Sequence, residues 1–283
     1  LQFRWQIAYL EAVARLNGLT FDSITSTSNG GPGFTIANRD TITSTPSITS
    51  SRFYGNGFRA GPGVNGVVKD ANGPVNGIFA TFAAVGGGQA VSAENNWFGC
   101  NAGPSAAPCD TVGIDNLVDA NPWLVMEASL ASGSIANPGS TTVTTSIKKN
   151  STPASAGPVP VGTPASFAST NTWVASVAPA SSNTNGSGDA TSTVNAEDNG
   201  ATSITATIDA QTFTLPLTVT GTSTRYVATT GNNNGGANNC KDNLNPCLTV
   251  QHAINRAGAG DTIEIANGNY PENSIALNKD LTI

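Results

Sequence analysis

The residues of this chain that could do chemistry are few, and their spacing favours cross-linking over catalysis. Four cysteines fall in two close pairs, Cys100/Cys109 and Cys240/Cys247, each bracketing a short turn-forming loop. Neither pair has the C-x2-C spacing of a zinc site, and the one histidine, His252, is not near enough in sequence to complete one. Two local disulfides in an oxidising compartment is the natural reading, each contributing roughly 2–3 kcal/mol if unstrained. Four free buried thiols in a cytosolic protein is the alternative. With one histidine no Ser-His-Asp triad can be argued. Gly86-Gly87-Gly88 lacks the following Lys-Ser/Thr of a phosphate-binding loop. Lys148 and Lys149 with Glu197 and Asp198 would suit an isopeptide cross-link, but no Asn sits in the last strand of their block to accept one. Asn150-Ser151-Thr152 and Asn185-Gly186-Ser187 fit the glycosylation sequon. No cofactor and no metal site are implied.

The composition narrows what scaffold positions these groups. Of 283 residues, 26 are Ser, 35 Thr and 31 Asn, nearly a third of the chain. Charged residues make up 11%, with a net charge of −6, so a nucleic-acid partner is not expected: neutralising phosphates needs clustered Lys and Arg. A helical bundle is disfavoured by the scarcity of Glu, Lys and Leu. The longest uncharged apolar run, Ile78 to Val85, is far short of the ~20 residues of a spanning helix. A hydrophobic content of 38% with regular alternation argues for a folded all-β protein rich in Gly and Asn turns. The sequence has no signal peptide and no initiator Met, and is expected to be part of something longer.

Three blocks follow along the chain: 1–123, 124–222 and 223–283. In the first, Leu1, Phe3 and Trp5 alternate with polar residues, while Ile7 to Leu16 reads as a short helix or an irregular strand. Short alternating runs then follow, cut by Asn-Gly turns. Ser-Ile-Thr-Ser occurs at 23 and 47, and an aromatic pair followed by Gly at 53–55 and 97–99. Spacings near 22–24 suit one coil of a parallel β-helix; a β-sandwich is the alternative. Asn95-Asn96-Trp97-Phe98-Gly99-Cys100-Asn101-Ala102-Gly103-Pro104, followed by Asn121-Pro122-Trp123-Leu124, resembles the closing coil of right-handed parallel β-helix domains of the pectin-lyase-like class on bacterial surface proteins. The resemblance implies that Trp97, Phe98 and Trp123 lid the open apolar end of the coil stack, with Cys100–Cys109 pinning the loop.

The second block has seven predicted strands: 124–130, 141–148, 165–169, 174–177, 191–194, 203–209 and 213–219. This is the pattern of a β-sandwich. The segments 157–167 and 201–209 resemble the bacterial Ig-like (invasin-type) pattern, which implies a spacer module. In the third block Tyr226-Val227-Ala228 opens a strand. A helix is predicted from an N-cap at Thr249 to a stop at Gly258, with Val250, Ala253, Ile254 and Ala257 as its apolar stripe. His252 falls opposite that stripe and is expected to face solvent. Residues 260–266 alternate, and Ile275, Leu277, Leu281 and Ile283 are expected to continue the inward row. This block resembles the opening of the same kind of β-helix.

The order (closing coils, Ig-like spacer, opening coils) predicts that ragged coil edges near Leu1, Phe3 and Trp5 and near Ile275, Leu277, Leu281 and Ile283 stack on one another. The partner is then a copy of the same unit, head to tail, and the function a structural subunit of an extracellular filament. The alternative is a surface adhesin whose β-helix binds or cleaves carbohydrate, with surface glycans as partners. For cleavage, a 24-residue period would place Asp22 and Asp70 two coils apart on one face, roughly 10 Å. A lyase would want a basic residue such as Arg52 or Arg59 beside an acidic cluster, and no such cluster is evident. The chain is therefore not expected to be an enzyme.

Overall fold

A computed structural model describes residues 9–11, 19–28, 33–38, 46–56, 69–70, 73–74, 78–82, 91–104, 108–112 and 118–283. Leu1, Phe3, Trp5, Gly86–Gly88 and Arg59 lie outside them. The described chain is built mainly of β-strands with one short α-helix, and no helix in it is long and apolar enough to cross a membrane.

The first block is a set of short strands: β1 (Tyr9–Glu11), β2 (Thr20–Asp22), β3 (Thr25–Thr27), β4 (Phe34–Asn38), β5 (Ser47–Thr49), β6 (Arg52–Tyr54), β7 (Lys69–Asp70), β8 (Gly73–Pro74), β9 (Ile78–Phe82), β10 (Val91–Ser92) and β11 (Val118–Asp119). Apart from β7 and β8, which pair antiparallel with each other, they form three parallel ladders. One runs β1-β4-β9 and continues by a bridge from Ile78 to Val112. The second runs β2-β5-β10-β11, and the third runs β3-β6 and on to Trp97. The chain visits the ladders in the same order on each pass.

The register corrects the expected spacing. Thr20 pairs with Ser47, Thr25 with Arg52 and Val91 with Val118, each 27 residues apart, so the tetrapeptide repeat at 24 is not the repeat of the fold. What recurs is the inward apolar position: Phe21 lies opposite Ile48, and Ala93 and Ala120 join the same core. The middle pass is longer. Ser47 pairs with Ser92 and Arg52 with Trp97, 45 residues apart, and the extra 18 include the small β7–β8 hairpin. Phe53 accordingly stacks on Phe98, with ring centroids 5.8 Å apart, and the Tyr54 ring covers Gly99.

Each pass turns the corner between its second and third ladders with a non-glycine residue of positive φ: Ser23 (56°), Ser50 (49°) and Asn95 (58°). Such residues cost backbone energy, tolerated best by short polar side chains that bond locally. The residue after each corner offsets that cost. The Ile24 amide donates to Ser51 Oγ at 3.0 Å, and the Ser51 amide to Asn96 Oδ1 at 2.9 Å. Asn96 Nδ2 donates to the carbonyls of Ile48 and Ala93, so this fully buried amide ties two passes together.

The second block forms two sheets: β12 (Leu124–Leu130), β13 (Ser134–Ala136), β14 (Ser140–Asn150), β15 (Pro164–Ser169), β16 (Ala175–Ala178), β17 (Ser181–Asn183), β18 (Asp189–Ala196), β19 (Gly200–Ile208) and β20 (Gln211–Thr220). One sheet has the order β12-β14-β18-β16, the other β13-β20-β19-β15-β17. All pairs are antiparallel except β13–β20. Alternating residues such as Val143, Ile147, Val194, Phe167, Ile204 and Leu217 bury against one another between them. The two strands absent from the sequence reading, β13 and β17, have three residues each, too few to show alternation.

In the third block β21 (Thr224–Val227) pairs in parallel with β22 (Thr262–Ile265), and Thr262 bridges on to Thr282. The helix α1 (Val250–Arg256) starts where Thr249 Oγ1 accepts from the His252 amide, and its stripe of Val250, Ala253, Ile254 and Ala257 is buried. The helix ends at Arg256, with Ala257 as its C-cap. Gly258 is required for another reason: a Cβ there would lie 2.2 Å from the Asn199 side chain. The inward row continues only at Leu281. Ile275, Leu277 and Ile283 are 47%, 56% and 63% exposed.

Candidate functional site

The four cysteines form Cys100–Cys109 and Cys240–Cys247, with Cα atoms 5.1 Å apart in each, and none is free. The second bond closes the loop that returns to β21: the Tyr226 amide donates to the Cys240 carbonyl and the Cys247 amide to the Tyr226 carbonyl. His252 does not face open solvent, as its position on the helix suggested. It is half-buried, its Nε2 lies 2.8 Å from the Asn238 carbonyl, and a ring nitrogen lies within 4.8 Å of both sulfurs. The fold thus makes the approach that sequence separation argued against. Both sulfurs are committed to the disulfide, however, so this trio offers no thiolate pair to a cation.

The aromatic residues assigned to the coil end divide between two cores. Phe98 stacks inside the first block, and Trp123 packs against it with its ring over Gly103 and its indole N–H donating to the Asn101 carbonyl. Trp97 is fully buried against the core of the second block. Its indole N–H donates to Asp209 Oδ2 at 2.7 Å. Asp209 sits in the tight turn between β19 and β20 and also receives both Nε and Nη2 of Arg52. Arg52 belongs to β6, so this cluster joins the first block to the second. Around it the Ala210 amide donates to the Gly99 carbonyl, and Asn101 both donates to and accepts from the Met126 backbone.

A second cluster stands at the other end of β19. Arg225 on β21 is fully buried. Its Nη2 reaches Asp198 in the β18–β19 turn, its Nε and Nη2 reach Asp261 Oδ2 at 3.2 and 2.9 Å, and its Nη1 donates to the Asn239 carbonyl. Asp261 further accepts from the Ser223 and Gly258 amides. Lys241 lies 3.4 Å from Asp198, and the Arg256 guanidinium stacks 4.3 Å from the Trp173 ring centroid. Sequence reasoning missed both clusters, because their partners are up to 157 residues apart. One signal was available: an Arg within an otherwise uncharged alternating strand of a charge-poor chain.

Other candidates resolve into ordinary contacts. Asp22 is exposed and accepts from Ser23 and Thr49 hydroxyls; the 27-residue register removes the basis for pairing it with Asp70, whose side chain lies outside the described residues. Of the residues considered for an isopeptide bond, Lys148 pairs with Asp189, Lys149 with Glu127 and Asp198 with Arg225, while the Glu197 carboxylate accepts from the Ser176 hydroxyl. Burial would raise Asp189, but hydrogen bonds from Lys148 and Ser146 and the Lys148 charge outweigh it and hold the carboxyl below its usual range. Asn150 is buried and bonded to Asn95, whereas Asn185 stands exposed in a turn. Asp110, beside Cys109, is buried and accepts from Asn56 Nδ2 at 2.7 Å. Burial pushes its pKa up to about 7, with help from the Asp209 charge and against hydrogen bonds from Asn56 and the Gly55 amide.

No family model and no curated protein matches the chain. Among solved structures, domains 4 and 5 of the S-layer protein SbsC are 23% identical, with 37% of this chain covering 56% of that one at a TM-score of 0.27. The D00-D0 domain of intimin is 20% identical, with 39% covering 54% at a TM-score of 0.29. A C-terminal intimin fragment solved with the intimin-binding domain of the translocated intimin receptor is 16% identical, with 36% covering 34% at a TM-score of 0.28. The matched part thus spans about half or less of those chains. Likenesses this loose carry no argument about what the present chain does.

Proposed function

We propose that this chain is a structural subunit of an extracellular surface filament or stalk, of the kind found on bacterial surface proteins. Its first and third blocks are portions of right-handed parallel β-helices, and its middle block is an Ig-like spacer. The observation that carries the reading is the register of the first block: three parallel ladders, visited in the same order, with the β2–β5, β3–β6 and β10–β11 partners 27 residues apart and one longer pass of 45 between β5 and β10. That is the periodicity of stacked coils, and a right-handed turn is the hand parallel crossovers take. The third block supports it with a parallel ladder over β21, β22 and Thr282, beside which Ile275, Leu277 and Ile283 are exposed. A further parallel coil, from this polypeptide or from a second copy, adds to such an edge by strand pairing. The paired disulfides support an oxidising, extracellular setting.

Electron microscopy and fibre diffraction of the native material test the proposal. Filaments with a repeat of about 4.8 Å along their axis are the expected result. Discrete particles that retain glycans would replace it with a carbohydrate-binding adhesin.

A further inference from the structure

The two buried arginine clusters share one design. Each takes an Arg from a strand of an outer block, Arg52 on β6 or Arg225 on β21, and seats it on an Asp in a tight turn of the middle block. The two turns, at Asp209 and Asp198, close opposite ends of the same strand, β19, which is paired on both sides by β15 and β20. Strand geometry places them about 30 Å apart. Both carboxylates are largely withdrawn from water: the Asp209 side chain is 3% exposed and that of Asp198 11%. A buried ion pair is more convincing as a device for fixing geometry than as a source of net stability.

We infer that the three blocks form one stiff body, with β19 as the strut and the Arg52–Asp209 and Arg225–Asp198 pairs as the clamps that fix the angle at each joint. This goes beyond the stalk reading by assigning its stiffness to named residues, and it rests on that reading only for its biological use. Domains joined in one chain move relative to each other by default unless the interface is large and well packed. Here each joint also carries non-ionic contacts: Trp97 enters the middle core at one, and at the other Arg256 lies on Trp173 and Asn199 seats against Gly258. Asp198→Asn is informative because Arg225 keeps Asp261 as its partner inside the third block, so that block retains its buried pair.

The test is the distance between spin labels on the full chain in dilute solution, with pairs at positions 20 and 187 across the first joint and 187 and 244 across the second; all three positions are exposed. The native chain should give a single narrow distribution for each pair. Asp198→Asn should widen the second distribution at least twofold and leave the first unchanged. Asp209→Asn should do the reverse, and Arg52→Gln with Asp209→Asn, which strands no charge and keeps an acceptor for the Trp97 indole at a positive-φ position, should do the same if Asp209→Asn alone folds poorly. Broad distributions in the native chain, or a variant that folds without widening its own pair, would overturn the inference. Dilute single chains report on the joints whether or not copies assemble, so a failure here is separate from a failure of the filament proposal.

Discussion

Asp110 is a carboxyl whose environment prefers the proton. Its folded pKa stands near 7 against an ordinary value of 3.8, so the folded state binds the proton more tightly than the unfolded state does. The resulting stabilisation is fully present below about pH 4 and is lost as pH rises to about 7. Over that window the chain should lose up to about 4 kcal/mol from this group. Asp110→Asn should flatten the slope, which urea unfolding at pH 5 and pH 8 would measure. Arg225 is the converse case, a charge held by two carboxylates out of water. Arg225→Met leaves Asp261 buried and unpaired and should cost about 3–5 kcal/mol in chemical denaturation. The sequence marks Arg225 only as a lone charge in an alternating strand, and gives neither residue's partners. A lone Asp next to a cysteine and an Arg in a Thr-rich strand acquire their significance only from partners far along the chain. The cysteine pairing was legible, because sequence separations of seven and nine leave each cysteine one near neighbour.

Among the elements, those with a period long enough to register were found: the seven longer strands of the middle block, and the helix with its cap and stripe. The period of the first block was not. A repeated Ser-Ile-Thr-Ser suggests 24, in a chain where Ser and Thr recur constantly, whereas the fold repeats burial and corner geometry after 27 residues on one pass and 45 on the next. The closing segment behaves as tightly fitted packing: Gly103 has φ +79°, and a Cβ there would lie 2.4 Å from the Trp123 ring. Gly103→Ala should destabilise the first block by about 1–3 kcal/mol, seen as a lower Tm in calorimetry. Opening the Cys240–Cys247 loop by Cys240→Ser with Cys247→Ser should cost roughly 2–3 kcal/mol. Hydrogen exchange should place that loss in β21 and its loop rather than in the two-sheet block.

For the molecule as a whole, the proposed assembly makes a directional demand on its exposed apolar edge. Leu277→Asp with Ile283→Asp adds charge at positions more than half exposed, so the fold of the single chain should keep its Tm. End-to-end association should be lost, as sedimentation velocity over a concentration series would show. Retained association would mean that the contact lies elsewhere.

The long middle pass of the first block has a wider consequence. Thr27 and Phe34 are 7 positions apart and their partners Tyr54 and Ile78 are 24 apart, so 17 of the added residues fall where no ladder is interrupted and the neighbouring ladders stay in step. Axial rise and circumference are therefore independent quantities in this architecture. An insertion at that corner can therefore change in length from one variant sequence to another without shifting which residues meet across the ladders.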